Sequence, residues 1–92
     1  MTDTTRAVDR DLQRLRWQCR RGMLELDLLF ERFLDLGYAG LDAAARADFE
    51  RLLREPDQML HDWLMQKSAP DDEALRAMVA RILATVVPIR PG

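Results

Sequence analysis

Apolar residues recur at helical spacing along most of the chain. Val8, Leu12, Leu15 and Cys19 follow one another at intervals of four, three and four, which predicts one stripe of a first helix. Gly22 is the expected end of that helix, because glycine accepts the left-handed backbone that a helix terminus often needs. A second helix is predicted from about Met23 to Leu36, stopping at Gly37, with Leu26, Leu29, Phe30, Phe33 and Leu36 on its core face. Asp27, Glu31 and Asp35, four residues apart, are expected to form a solvated acidic ridge on its far side.

Gly37 to Leu41 reads as a loop, followed by Asp42 as the N-cap of a third helix carrying Ala45, Phe49, Leu52 and Leu53 on one face. Pro56 restarts the chain, since proline suits a first helical turn and not an interior. Met59, Leu60, Trp63 and Leu64 then mark a short fourth helix. The Lys67–Asp72 break contains Pro70, with Asp71 as the expected cap of a fifth helix bearing Leu75, Met78, Val79, Ile82, Leu83 and Val86. Pro88 is expected to end that helix and Ile89 to Gly92 to fray. No segment shows the sustained alternation of a strand. The expected fold is all-α: a compact single-domain five-helix bundle over residues 1–92, ordered from about 8 to 87, with flexible termini.

Composition agrees with a folded chain rather than a disordered one, with 48% hydrophobic and 33% charged residues. The formal net charge of −2 and the dispersal of arginines among acids argue against nucleic acid as a partner. No apolar run is long enough to span a bilayer, so no membrane insertion is expected. Cys19, the sole cysteine, excludes an internal disulfide and favours a reducing compartment. With a polar N-terminus, the chain reads as cytoplasmic.

Catalytic signatures are missing. His61 is the sole histidine and is expected to be a partly exposed helical residue beside Asp62. Cys19 continues an apolar stripe, so packing is favoured over reactivity. There is no glycine-rich phosphate loop, G-x-S-x-G or H-E-x-x-H pattern. Nothing calls for a metal or a stably bound cofactor, and the chain is not expected to be an enzyme.

The segment Arg20-Arg21-Gly22-Met23-Leu24-Glu25-Leu26-Asp27 spans the junction of the first two helices. Arginines at one helix end and acids at the start of the next are favoured by the helix dipoles, which is one sufficient explanation. A second is a docking site. Gly22 permits close backbone approach, Met23 is an adaptable apolar side chain, and Leu24 and Leu28 fall on the outward side of the second helix. Arg20, Arg21, Gly22, Met23, Glu25 and Asp27 are the candidate partner-binding residues. Trp63 lies on an apolar stripe and is expected in the core. Trp17, off the stripe of its helix, either packs against a neighbouring segment or joins the surface near Arg21.

This segment resembles the hallmark of the SdhE family, also called the succinate dehydrogenase assembly factor 2 family. Its R-G-x-x-E-x-D pattern is matched by Arg21, Gly22, Glu25 and Asp27, and Asp57 with Leu60, Trp63, Leu64 and Met65 resembles the family's second common segment. The likeness runs from about Leu15 to Leu83; a longer polar N-terminus, Thr2 to Asp9, and Leu24 at a variable position depart from it. The resemblance implies an assembly factor that binds the flavoprotein subunit of succinate dehydrogenase, and in bacteria that of the related fumarate reductase; the short length and the lack of a transit-like leader favour a bacterial cytoplasmic protein. The resemblance also implies that the factor promotes covalent attachment of FAD, a cofactor belonging to the partner. An antitoxin-like or other helical interaction regulator without a flavin role is the alternative.

Overall fold

The computed structural model describes residues 3–86, with side chains from Arg10 onward; the Val8 side chain of the first stripe, Pro88 and the Ile89–Gly92 tail lie outside what is described. Within that range the chain forms α1 (Asp3–Gln18), α2 (Leu24–Leu36), α3 (Ala43–Leu53), α4 (Asp57–Leu64) and α5 (Glu73–Val86), and no strand. The fold is all-α, as the periodicity predicts.

α1 stops at Gln18, short of the expected terminus at Gly22. The Cys19 N–H still reaches the Leu15 carbonyl at 2.8 Å, and the Arg20 N–H tightens back to Trp17 O at 3.1 Å. After that the Asp27 carboxylate takes the backbone N–H groups of Arg21 and Gly22, at 2.7 and 3.3 Å. An aspartate that offers the backbone another acceptor competes with the helix, and here it wins. Asp27 is therefore half-buried in the turn rather than part of a solvated ridge; Glu31 and Asp35 are exposed as expected.

α2 buries Leu26, Phe30, Phe33 and Leu34, with Leu29 half-buried and Leu36 59% exposed. The expected stripe had Leu36 inside and omitted Leu34. These two positions lie about 80° on either side of Leu26 on a helical wheel, so periodicity cannot choose between them. α1 covers the Leu34 edge, where Cys19 and Arg16 border the same groove.

The glycine at position 37 has a packing cause. Its φ of −126° needs no glycine. A Cβ there would stand 2.6 Å from the buried Phe33 ring and 3.0 Å from Thr85 Cγ2. The following segment, expected as a loop, forms a 3-10 turn over Tyr38–Gly40 that buries Tyr38 and Leu41. Tyr38, Phe30 and Phe33 gather around Phe49 of α3 with ring centroids 5.3 to 6.1 Å apart, the aromatic centre of the core.

Asp42 caps α3 by accepting the Ala45 N–H at 2.8 Å. Pro56 precedes α4 with φ −61° and ψ 149°, the extended geometry of an N-cap. Leu60, Trp63 and Leu64 are buried, whereas Met59 is 43% exposed and does not join their face. α5 is capped by Asp72 rather than Asp71: the Asp72 Oδ1 accepts the Leu75 N–H at 3.0 Å. Its core stripe of Leu75, Met78, Val79, Ile82 and Val86 packs mainly against α3 and α2. Among the described residues no helix is long and apolar enough to cross a membrane.

Candidate functional site

The α1–α2 corner, Cys19 to Asp27, has an inner and an outer layer. The inner layer is built by Arg21, whose side chain is only 15% exposed and turns away from solvent. One guanidinium nitrogen donates to Asp57 Oδ1 at 2.8 Å, the other to the Leu53 carbonyl, and the Glu55 carbonyl lies 3.5 Å from the first. Leu53 is the last residue of α3, so the guanidinium satisfies a carbonyl that has no helical partner and sits at the negative end of the helix dipole. One side chain thus ties the corner to the end of α3 and the start of α4. Asp27 fastens the same turn from the α2 side through its bonds to the Arg21 and Gly22 N–H groups. Both residues of the motif face inward because each has a backbone group to satisfy.

Gly22, held between these braces, has φ +80°, in the region that favours glycine. A Cβ on it would meet nothing within 4 Å. Its demand is conformational, and the space above it is free for another molecule's backbone or side chain.

The outer layer is apolar and basic. Leu24 is 72% exposed, Leu28 56% and Trp17 74%, which resolves the open position of Trp17 in favour of the surface. The Arg20 guanidinium lies over the Trp17 ring, 5.3 Å from its centroid. Arg20 separates two open grooves. One, of about 560 Å³, is lined by Arg14, Arg21, Leu53 and Arg54 among others; the second, of about 300 Å³, by Cys19, Leu24, Leu28 and Leu34. Met23 is half-buried and packs its side chain against the core. Cys19 sits beneath the second groove, and burial pushes its thiol up to about 12, far from the range in which a thiolate forms at neutral pH.

Glu25, in the first turn of α2, extends across to α4. Its Oε1 lies 2.9 Å from His61 Nε2, with the Glu25 side chain 67% exposed and the His61 side chain 15%. His61 is a partly exposed helical residue, as expected, and it belongs to the site. So does Asp57. The sequence places both 36 residues from their partners, and no local pattern announces the pairings. Asp57 carried a signal only as part of the second recurrent segment.

Of the six candidate residues, the structure turns Arg20, Gly22 and Glu25 outward and Arg21 and Asp27 inward, and leaves Met23 at the boundary. No group of His, Cys, Asp and Glu capable of holding a metal ion occurs among the described residues.

Fold and site together define a small all-helical protein that presents a braced glycine corner flanked by exposed leucines, a tryptophan and arginines. The chain belongs to the family described as the flavinator of succinate dehydrogenase, whose sequence pattern matches residues 13–86. It is 48% identical to the FAD assembly factor SdhE of Pseudomonas aeruginosa over 82 residues, covering 89% of this chain and 98% of that protein. To the Idiomarina loihiensis FAD assembly factor SdhE it is 46% identical over 84% of this chain and 86% of that one. The corresponding Coxiella burnetii protein is 39% identical over 76% and 85%. No solved structure matches the chain.

Proposed function

We propose that this protein is an FAD assembly factor that binds the flavoprotein subunit of succinate dehydrogenase, and that of the related fumarate reductase, and promotes covalent flavin attachment there. The observation that carries the reading is the corner itself. Membership of the flavinator family coincides with a surface at which the family's R-G-x-x-E-x-D residues fix an open glycine among exposed apolar and basic side chains. Apolar patches rimmed by charge are characteristic of protein docking surfaces.

In this reading FAD belongs to the partner. Both grooves at the corner open to solvent, the larger bordered mostly by charged side chains and the smaller by apolar and charged side chains in equal measure, which fits contact with a protein better than enclosure of a flavin ring. Bond formation between flavin and protein is the chemistry of the cofactor and the partner. The assembly factor contributes differential affinity: it binds the partner conformation in which flavin and acceptor side chain are close, and thereby raises that conformation's population. Arg20, Gly22, Met23 and Glu25, with Leu24 and Leu28, make the contact surface. Arg21 and Asp27 act from beneath by holding its shape.

The test is retention of a flavoprotein from native lysate by the tagged wild-type chain, read by in-gel fluorescence of covalent flavin. Gly22→Arg, shown to be folded by circular dichroism, is expected to lose that band; Gly22→Asn, which tolerates the left-handed backbone, serves as the small-side-chain comparison. Full retention by a folded Gly22→Arg chain, or unchanged covalent flavin in cells lacking the protein, contradicts the reading.

A further inference from the structure

The Glu25–His61 pair connects the docking corner to α4, and nothing in the R-G-x-x-E-x-D pattern requires it. We infer that His61 is a positioning residue that holds the Glu25 carboxylate ready for the partner, an inference that rests on the functional reading above.

Glu25 stands at the first turn of α2 with most of its side chain in solvent. Left alone, such a glutamate samples several rotamers, and a partner that engages it must arrest them. His61 removes that freedom. Its ring is largely enclosed on α4, whose Leu60, Trp63 and Leu64 are buried in the core, so it is a fixed anchor rather than a second mobile side chain. A carboxylate only accepts, so the 2.9 Å contact requires the proton on Nε2. That leaves Nδ1 buried with no hydrogen-bond partner; the nearest acid, Asp62, is 3.9 Å away and is itself engaged by Gln58 at 3.0 Å. The one strong polar contact of the ring is therefore the one Nε2 makes with Glu25.

The contact uses one oxygen of Glu25. The second, Oε2, makes no hydrogen bond among the described residues and is free for a cationic or N–H donor on the flavoprotein. His61 and Asp57 both lie on α4, one holding Glu25 and the other Arg21. α4 is therefore the platform that fixes two of the three charged residues of the corner motif.

The experiment measures the affinity of the full-length chain for the apo flavoprotein subunit of succinate dehydrogenase, with thermal stability recorded alongside. His61→Leu is expected to bind about 3- to 10-fold more weakly, the cost of ordering one long side chain on association. His61→Gln, whose amide N–H can reach the same carboxylate, is expected to restore most of that loss. In a Glu25→Ala background, His61→Leu should have no further effect. Wild-type affinity in His61→Leu, or an undiminished loss in the Glu25→Ala background, overturns the inference alone. Failure of the wild-type chain to bind the flavoprotein overturns the functional reading and the inference with it.

Discussion

Two adjacent arginines, Arg20 and Arg21, are expected to differ sharply when each is replaced by alanine. Arg21→Ala removes a guanidinium that donates to the Leu53 carbonyl and to Asp57 Oδ1 at 2.8 Å. A hydrogen bond from a charged donor contributes about 1.5–3 kcal/mol net. The Asp57 side chain is 42% exposed, so solvent screening limits the ion pair itself to at most about 1 kcal/mol. The two together give an expected loss of about 2–4 kcal/mol, a large share of the 5–15 kcal/mol that stabilises a typical domain. For a chain of this length, that lowers Tm by about 10–20 °C. Arg20→Ala removes an exposed guanidinium stacked on Trp17, worth at most about 1 kcal/mol and a Tm change within about 5 °C. Thermal unfolding followed by the helical circular dichroism signal, with urea titrations for free energies, measures both. Arg21→Lys should recover only part of the loss, since a single ammonium cannot span Leu53 O and Asp57 as the fork does. Equal falls in Tm for the two alanine variants would refute the inner and outer assignment of the arginines.

At Gly22, Ala substitution is expected to cost about 1–2 kcal/mol through the left-handed backbone alone, and Asn distinctly less; denaturant midpoints separate them, and a steric clash is not expected because the space is open. Gly37→Ala should destabilise for the opposite reason, by about 1–3 kcal/mol, since the new Cβ meets the fully buried Phe33 ring. The Leu75 N–H, and then Arg51, hold the Asp72 carboxyl below its ordinary value. A group depressed on folding stabilises above its unfolded pKa and loses that contribution as pH falls through the folded one, so the stability gap between wild type and Asp72→Asn should close as pH drops below about 4. Cys19, buried and pushed up to about 12, should resist a thiol reagent at neutral pH in the native chain and react when urea unfolds it.

How much the sequence discloses differs between the fold and the site. Helix identity is legible because periodicity is a local property: all five α-helices, the Asp42 cap and the Pro56 restart lie close to where the pattern puts them. Errors fall where a local pattern is symmetric or has a competitor. Leu34 and Leu36 are equivalent by spacing until α1 covers one of them, and of the adjacent acids Asp71 and Asp72 it is Asp72 that accepts the Leu75 N–H and so caps α5. The early end of α1 comes from the Asp27 carboxylate, which acts backwards along the chain on a turn that glycine alone was expected to define.

For the site, the candidate segment was visible and its division of labour was not. The Arg20–Asp27 segment reads as six contact residues or as two helix ends with favourable dipoles, and under the proposed function the two readings are compatible. Arg21 and Asp27 satisfy backbone groups within the protein, as a helix-end explanation requires, and by doing so they fix the geometry in which Gly22, Arg20 and Leu24 face out. A surface that shifts a partner's conformational equilibrium must resist deformation itself, because free energy spent in bending the corner is subtracted from its differential affinity. Under the proposed function, the inward residues are as necessary to binding as the outward ones. Variants of either set should fail to support flavin attachment, and stability separates them: loss of Arg21 weakens the fold together with binding, whereas loss of Leu24, 72% exposed, weakens binding alone.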